Sequence, residues 1–360
     1  MIRRLGAFAP PGQFADDAAL LDPFTPGGEV DGARVAADSG ANGGALVVNT
    51  DVLVEGIHFS DATTAPADVG WRAAAANLSD LAAMGCTEVV GITVGLVAPQ
   101  RTAWSWVEGV YRGLRQTLGT YGGVLLGGDC SGGGQRMLAI TAIGRLGVAP
   151  PLVRAAPAGK GLHPPPDRGP WGAIRRGDGR PGDALVCTGP HGLSRLGLAL
   201  LLGEIPAEPA GAPLPDPGLR QRAIAAHQRP RPRFDAVRAL TRSRPGAMAW
   251  RVAGCDSSDG LAAAVAAIAA GSGCGARLDW ARLPLEPAMA ALPQAEAWCL
   301  GGGEDFELVL ALEPGWAAAL VGALPGASLI GELVEGEAGA LHWNGGGALE
   351  PTLGGYRHFG

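Results

Sequence analysis

Apolar residues run almost unbroken from Ala45 to Val54, interrupted at the centre by Asn49-Thr50-Asp51. Such a run predicts a buried strand, and polar groups in a buried strand cost free energy unless something binds them. The Ala-rich segment Trp71–Met84 reads as a helix stopped at Gly85, with Asp80 near its end. Val89–Val97 is a second apolar strand, Thr102–Gly119 has the amphipathic period of a helix, and Val124–Leu126 is a short strand entering Gly127-Gly128-Asp129. Met137–Leu146 closes this region as a strand. Periodicity then vanishes in a Pro- and Gly-rich stretch over 149–182, read as a loop or partly disordered insertion. The pattern resumes with a strand at Ala184–Cys187, a helix over Ser194–Leu202 and a Pro-rich loop over Pro206–Pro217. A helix after Asp259 follows, with strands at Gly275–Leu278, Phe306–Leu312 and Ser328–Val334. Helices and strands alternate in both halves, which predicts an α/β (α+β) chain of two domains, 1–148 and 183–360, joined by the 149–182 segment.

Composition narrows the class. The chain has 360 residues, 47% of them hydrophobic but only 5% aromatic, so its cores are built from Ala, Leu and Val. A formal net charge of −6 argues against a general nucleic-acid binder. The basic stretch His227-Gln228-Arg229-Pro230-Arg231-Pro232-Arg233 reads as a solvated loop. The six cysteines form no C-x-x-C pair and are read as free thiols. Neither a signal peptide nor a membrane span is evident, so a cytoplasmic protein is expected. The single lysine, Lys160, belongs to no phosphate-binding G-x-x-x-x-G-K-[ST] loop. Any nucleotide phosphates have to be neutralised by metal and arginine.

The remaining polar signal is a series of carboxylates in Gly/Ser/Asn/Thr stretches with little basic charge among them. They are Ala15-Asp16-Asp17-Ala18, Asn49-Thr50-Asp51, Asn77-Leu78-Ser79-Asp80, Gly127-Gly128-Asp129, Asp256-Ser257-Ser258-Asp259 and Gly303-Glu304-Asp305. Each has an ordinary structural explanation: a turn, a solvent-facing helix position, or a helix cap at Asp256–Asp259. His58, a few residues beyond Asp51, reads equally well as a structural hydrogen-bonding group. Gathered carboxylates repel one another unless they share cations. Hard oxygen ligands without a His/Cys cluster favour magnesium, and magnesium usually accompanies phosphate.

Taken in order, these motifs resemble the thiamine-monophosphate kinase family, within the superfamily of aminoimidazole ribonucleotide synthetase and selenophosphate synthetase. The resemblance rests on Asp16-Asp17, on Asn49 to Phe59, on Asn77 to Gly85, and on Gly127-Gly128-Asp129. It continues through Arg175–Asp183, Arg229–Arg233, Asp256–Leu261, Gly302–Leu308 and Gly355–Gly360, nearly the whole chain. It implies ATP-dependent phosphorylation of thiamine monophosphate to thiamine diphosphate by direct in-line transfer, with Asp51 and Asp129 central to catalysis. Several magnesium ions are implied on Asp17, Asn49, Thr50, Asp51, Asp80, Asp129, Asp256 and Asp259. ATP is implied at Gly128, Asp129, Arg176, Ser258 and Tyr121, and the acceptor at His58, Glu304 and Tyr356. A homodimer formed through the N-terminal sheet is implied as well.

Such chemistry needs no strong base, because a phosphate oxygen is already deprotonated at neutral pH. Its obstacle is repulsion, about 4 kcal/mol for unit charges ~4 Å apart at an effective dielectric near ~20. The chain departs from the family at Ala15 (family Gly), at Cys130-Ser131-Gly132-Gly133 (family Thr-Thr-Arg-Gly) and in its Pro/Gly insertion. The rivals are a synthetase of the same superfamily and a decayed nucleotide-binding homologue; a selenophosphate synthetase would be expected to carry a reactive Cys and Lys near the N-terminus, and neither precedes Phe14-Ala15-Asp16.

Overall fold

The structure is a computed structural model that describes residues 15–21, 45–147, 172–205, 216–246 and 248–349. Tyr356 and most of the Pro/Gly-rich stretch lie outside the described residues.

The first sheet orders five strands as β1 (Ala19–Leu21), β2 (Leu46–Val54), β5 (Met137–Leu146), β3 (Cys86–Ala98) and β4 (Val124–Gly132). All neighbours are antiparallel except β3 and β4, whose parallel pairing requires the crossover helix between them. β5 alternates strictly between buried and half-buried positions, so one sheet face is packed. Leu138, Ile140, Val94 and Val47 from that face are fully buried with Leu78 and Leu81 of helix α1 (Pro66–Ala83). This helix starts five residues before the expected Trp71 because Pro66, lacking an N–H, suits its first turn. Helix α2 (Trp104–Tyr121) is the crossover. The two helices touch backbone to backbone: a Cβ on Gly70 would lie 1.9 Å from the Val110 oxygen, and one on Gly113 1.9 Å from the Ala67 oxygen. No side chain fits at either position.

The second sheet orders β11 (Leu341–Trp343), β8 (Gly275–Leu278), β10 (Ser328–Val334), β6 (Ala184–Cys187), β9 (Leu308–Leu312) and β7 (Ala253–Asp256). Six helices accompany it among the described residues: α3 (Leu193–Leu201), α4 (Pro217–Gln228), α5 (Phe234–Ser243), α6 (Leu261–Gly271), α7 (Ala295–Gly301) and α8 (Pro314–Ala323). β9 is buried at every position: Val309 and Ala311 pack with α6, while Leu308, Leu310 and Leu312 join α5 and α8. Burial on both faces explains its unbroken apolar run. The core containing Leu310 is continuous with that of the first sheet.

The mixed α/β class agrees with expectation. The basic stretch does not. His227 and Gln228 end helix α4, His227 is 2% exposed, and Arg229 and Arg233 are ion-paired with Asp68 and Asp235. Composition could not show that the chain folds back over the first domain there, with Trp71 Nε1 donating to the Pro230 oxygen at 2.8 Å. The six cysteines are free, five of them buried and Cys130 exposed. Among the described residues no helix is long and apolar enough to cross a membrane.

Candidate functional site

Three carboxylates meet where the two halves touch. Asp17 precedes β1, Asp80 sits in the last turn of α1, and Asp256 ends β7; one oxygen from each lies within 4.8 Å of the others. α1 carries its polar residues inward here. Asn77, fully buried, anchors its amide on the Ala73 oxygen at 2.9 Å. Its own oxygen accepts from the Asp51 N–H at 3.1 Å and from Asn49 Nδ2 at 3.3 Å. Asn49 Nδ2 also donates to Asp80 Oδ2 at 2.6 Å, which ties the polar centre of β2 to the helix. Across the domain boundary, the Ser79 hydroxyl donates to Asp256 Oδ2 at 2.6 Å, and the Ser258 hydroxyl to Asp256 Oδ1 at 3.0 Å. Arg176 pairs with Asp17, while Asp16 accepts from the Arg176 main-chain N–H at 2.8 Å.

This cluster concentrates buried negative charge. Burial pushes the Asp17 carboxyl up to about 7, with Arg176 opposing and Asp256 reinforcing the shift. Burial also pushes Asp80 well up, reinforced by Asp256, Asp51 and Asp17. Asp256 is raised by burial against the pull of Ser79 and Ser258. Asp17 Oδ2 and Asn49 Oδ1 are buried and have no hydrogen-bond partner. Acceptor oxygens without donors, supplied only by Asp and Asn, suit a hard divalent cation such as magnesium.

A second group of residues lies on the neighbouring loop. Gly303, Glu304 and Phe306 all have left-handed backbones, at φ 67°, 57° and 53°. Two non-glycine residues in that region store about 1 kcal/mol or more each, and such strain concentrates at functional loops. The loop is pinned to the first group, since the Glu304 N–H donates to the Ser258 oxygen at 2.7 Å. Asp305 accepts from the Gly192 and Ser194 N–H groups at 2.7 and 3.0 Å, capping α3. His58 Nδ1 accepts from the Val54 N–H at 3.0 Å, so His58 does hold a structural hydrogen bond. Its main-chain oxygen and Glu304 Oε1 both accept from Arg72, at 3.2 and 2.5 Å.

Not every expected residue joins these groups. Gly128 and Asp129 lie in β4, which extends through the whole Gly127-Gly128-Asp129 stretch and is exposed at every position. Gly128 is required by close approach, because a Cβ there would lie 2.0 Å from the Val94 oxygen. The register runs Asp51, Ile140, Val94, Gly128, which separates Asp51 from Gly128 by three interstrand spacings, about 14 Å. Thr50 points to the other sheet face and bonds Thr141 at 2.8 Å. Ser258 and Asp259 are exposed beside Asp256. Tyr121 packs between Trp71 and Phe234.

The matching family models describe the same two halves. The AIR synthase related protein N-terminal domain covers residues 15–146, and its C-terminal domain covers 180–344. Over 353 residues the chain is 42% identical to the thiamine-monophosphate kinase of Prochlorococcus marinus, spanning 98% of this chain and 92% of that protein. The chain belongs to the thiamine-monophosphate kinase family. The family member from Synechococcus elongatus is 46% identical over 333 residues, 92% of this chain and 86% of that one. In fold, the chain is similar to the structure of AaThiL complexed with AMPPCP and TMP, with a TM-score of 0.75 at 24% identity over 99% and 96% of the two chains.

Within this thiamine-monophosphate kinase family chain, sequence reasoning missed Arg72 and His227. Arg72 was not singled out within the Ala-rich helix, and His227 was read as part of a solvated loop. The raised carboxyls also predict a linkage. Asp17 binds its proton up to about 7 in the folded chain against 3.8 for the free group, so its protonated form stabilises below that range. That stability is lost as pH rises from about 4 through 7, and magnesium should restore it by favouring the ionised form. The magnesium-induced rise in thermal midpoint is therefore expected to grow between pH 5 and pH 8. Differential scanning fluorimetry with EDTA or magnesium checks this; an equal rise at both pH values would contradict it.

Proposed function

We propose that this chain transfers the γ-phosphoryl group of ATP to the phosphate of thiamine monophosphate, giving thiamine diphosphate and ADP. The observation that carries this reading is the inter-domain cluster of Asp17, Asp80 and Asp256, with buried acceptor oxygens left unpartnered. An oxygen of the acceptor phosphate forms the new bond to phosphorus as the bond to the β-phosphate oxygen breaks, and the electron pair leaves with ADP. Asp17, Asn49, Asp51, Asp80, Asp256 and Asp259 would hold magnesium, joined by Asp129 of a second copy in the dimer proposed below, whereas the Thr50 side chain, turned to the other sheet face, would not. Bound there, magnesium neutralises the two facing phosphates and favours an in-line approach. The protein's own part is positioning. Ser258 and the following main chain at the N-terminus of α6 suit the nucleotide phosphates. Arg176 gives its charge to Asp17 here, and a phosphate offers the same guanidinium a comparable anion. His58, Glu304 and Tyr356 address the acceptor, with Tyr121 and Gly128 on the nucleotide side.

We further propose a homodimer through the first sheet. β1 pairs only with Leu46–Val48, so among the described residues the edge of β2 from Asn49 onward has no strand partner. β4 offers the complementary edge, with Val124, Leu125 and Leu126 exposed by 59, 46 and 48%. A second copy pairing β4 against that stretch of β2 would bring its Asp129 to Asp51, which no single chain can do across 14 Å or so.

Incubation of the purified chain with ATP, magnesium and thiamine monophosphate should yield thiamine diphosphate and ADP in equal amounts, read by chromatography. ADP release without thiamine diphosphate would favour a synthetase of the same superfamily instead.

A further inference from the structure

Arg72 is charged, 3% exposed and placed in the middle of α1, where Asp68, one turn earlier, is engaged by Arg229 instead. Its partners come from three distant segments. Nη2 donates to the His58 oxygen at 3.2 Å and to Glu304 Oε1 at 2.5 Å, and Nη1 donates to the His227 oxygen. The loop after β2, the end of α4 and the strained Glu304 loop are thus held by one planar group. A guanidinium suits this task because its donors are fixed in a fork, whereas an ammonium is a rotatable point. His227 leaves Arg72 unopposed as the charge partner of Glu304. Burial, with Arg72 and then Arg195 close by, lowers the His227 imidazole to about 3, so it stays neutral. His227 Nδ1 lies 3.4 Å from both Arg72 Nη1 and Ser194 Oγ and 3.6 Å from Glu304 Oε2.

Glu304 itself is different in kind. About a third of its side chain is exposed, and one oxygen is committed to Arg72. The arrangement leaves a carboxylate whose direction is set from behind while its face is open.

We propose that Arg72 is a positioning residue for the acceptor: it locks Glu304 and the His58 main chain in one frame across the domain boundary, so that acceptor affinity depends on a side chain that does not touch the acceptor. This rests on the proposed reading of His58 and Glu304 as acceptor-side residues. It separates the two substrates energetically. The nucleotide side meets the Glu304 loop through the Glu304 N–H to Ser258 oxygen bond, the Ser257 N–H to Glu307 oxygen bond at 2.9 Å and the Glu307 N–H to Ser257 Oγ bond at 3.2 Å, none of which involves the Arg72 side chain.

Steady-state kinetics and amide hydrogen exchange on the full chain test it together. In Arg72→Gln the KM for thiamine monophosphate is expected to rise about tenfold or more, with the KM for ATP changed less than about twofold; Arg72→Lys should recover part of the loss. In a Glu304→Gln background, Arg72→Gln should add little, because the two act as one unit. Exchange should accelerate at Gly302–Phe306 and Ile57–Phe59 in Arg72→Gln, and remain unchanged at Asn77–Asp80. Equal rises in both KM values, full additivity with Glu304→Gln, or unchanged exchange at both loops would each overturn the proposal. If the unmodified chain makes no thiamine diphosphate, the functional reading fails and the exchange pattern still decides whether Arg72 sets the frame. Should Arg72→Gln not fold, Arg72→Lys carries the same comparisons, with a KM rise confined to the acceptor supporting the proposal and a rise shared by both substrates rejecting it.

Discussion

Asp80→Asn is expected to lower turnover by about a thousandfold while raising the thermal midpoint measured in EDTA. The two effects share one cause. Asp80 lies among Asp256, Asp51 and Asp17, and burial with their negative charge makes its ionised form costly. An asparagine has nearly the same shape, its carbonyl can still accept from Asn49 Nδ2, and it carries no charge. The folded chain therefore loses a repulsion and keeps its hydrogen bond. In the proposed reading the same charge would attract magnesium, and a thousandfold loss corresponds to about 4 kcal/mol of transition-state stabilisation. Initial rates with excess magnesium, set beside unfolding curves in EDTA, give the comparison. A variant both active and unchanged in stability would mean that the cluster is an ordinary buried polar network.

Mixing two inactive variants should restore activity. Asp51→Asn and Asp129→Asn are each expected to be nearly silent alone, because each removes one carboxylate from every site. If each site takes Asp51 from one copy and Asp129 from the other, a mixed dimer holds one site with both residues intact and one with neither. Random exchange of equal amounts makes half the dimers mixed, so about a quarter of the unmodified rate should return. A site built within one chain gives no recovery, since every site in the mixed dimer then lacks one residue. Activity after co-refolding or co-expression with two different tags reads this directly. No recovery despite isolated mixed dimers would remove the shared-site arrangement and leave Asp129 about 14 Å from Asp51, outside the metal set.

Much of the architecture was legible in sequence, for a reason that varies by element. β2, β3, β5 and β9 were found because burial leaves an apolar run or a strict alternation. β1, β7 and β11, of three or four residues each, were not read from the sequence; their strand pairing defines them. α4 was not read from the sequence, which gave loops only at its two ends: its buried face is only Leu219, Ala223 and His227, a weak period between Pro- and Arg-rich flanks. The extension of β4 through Gly127-Gly128-Asp129 was hidden because glycine usually signals a turn. Here it is demanded by the Val94 main chain pressing against Gly128.

The sequence by itself determined the chemistry available: aspartates in segments with little basic charge of their own, no lysine loop for phosphate, and two α/β halves with apolar strands enough for a core. These are local properties, written in residue type and spacing. Only the tertiary structure decided which carboxylates meet. It gathered Asp17, Asp80 and Asp256 and set Asp129 on a distant edge strand, because strand register is fixed by pairing over the whole sheet. It also made Arg72, which nothing in the sequence singled out, the tie between His58 and Glu304. Burial of a charge depends on what the rest of the chain packs around it, and no window of sequence contains that information.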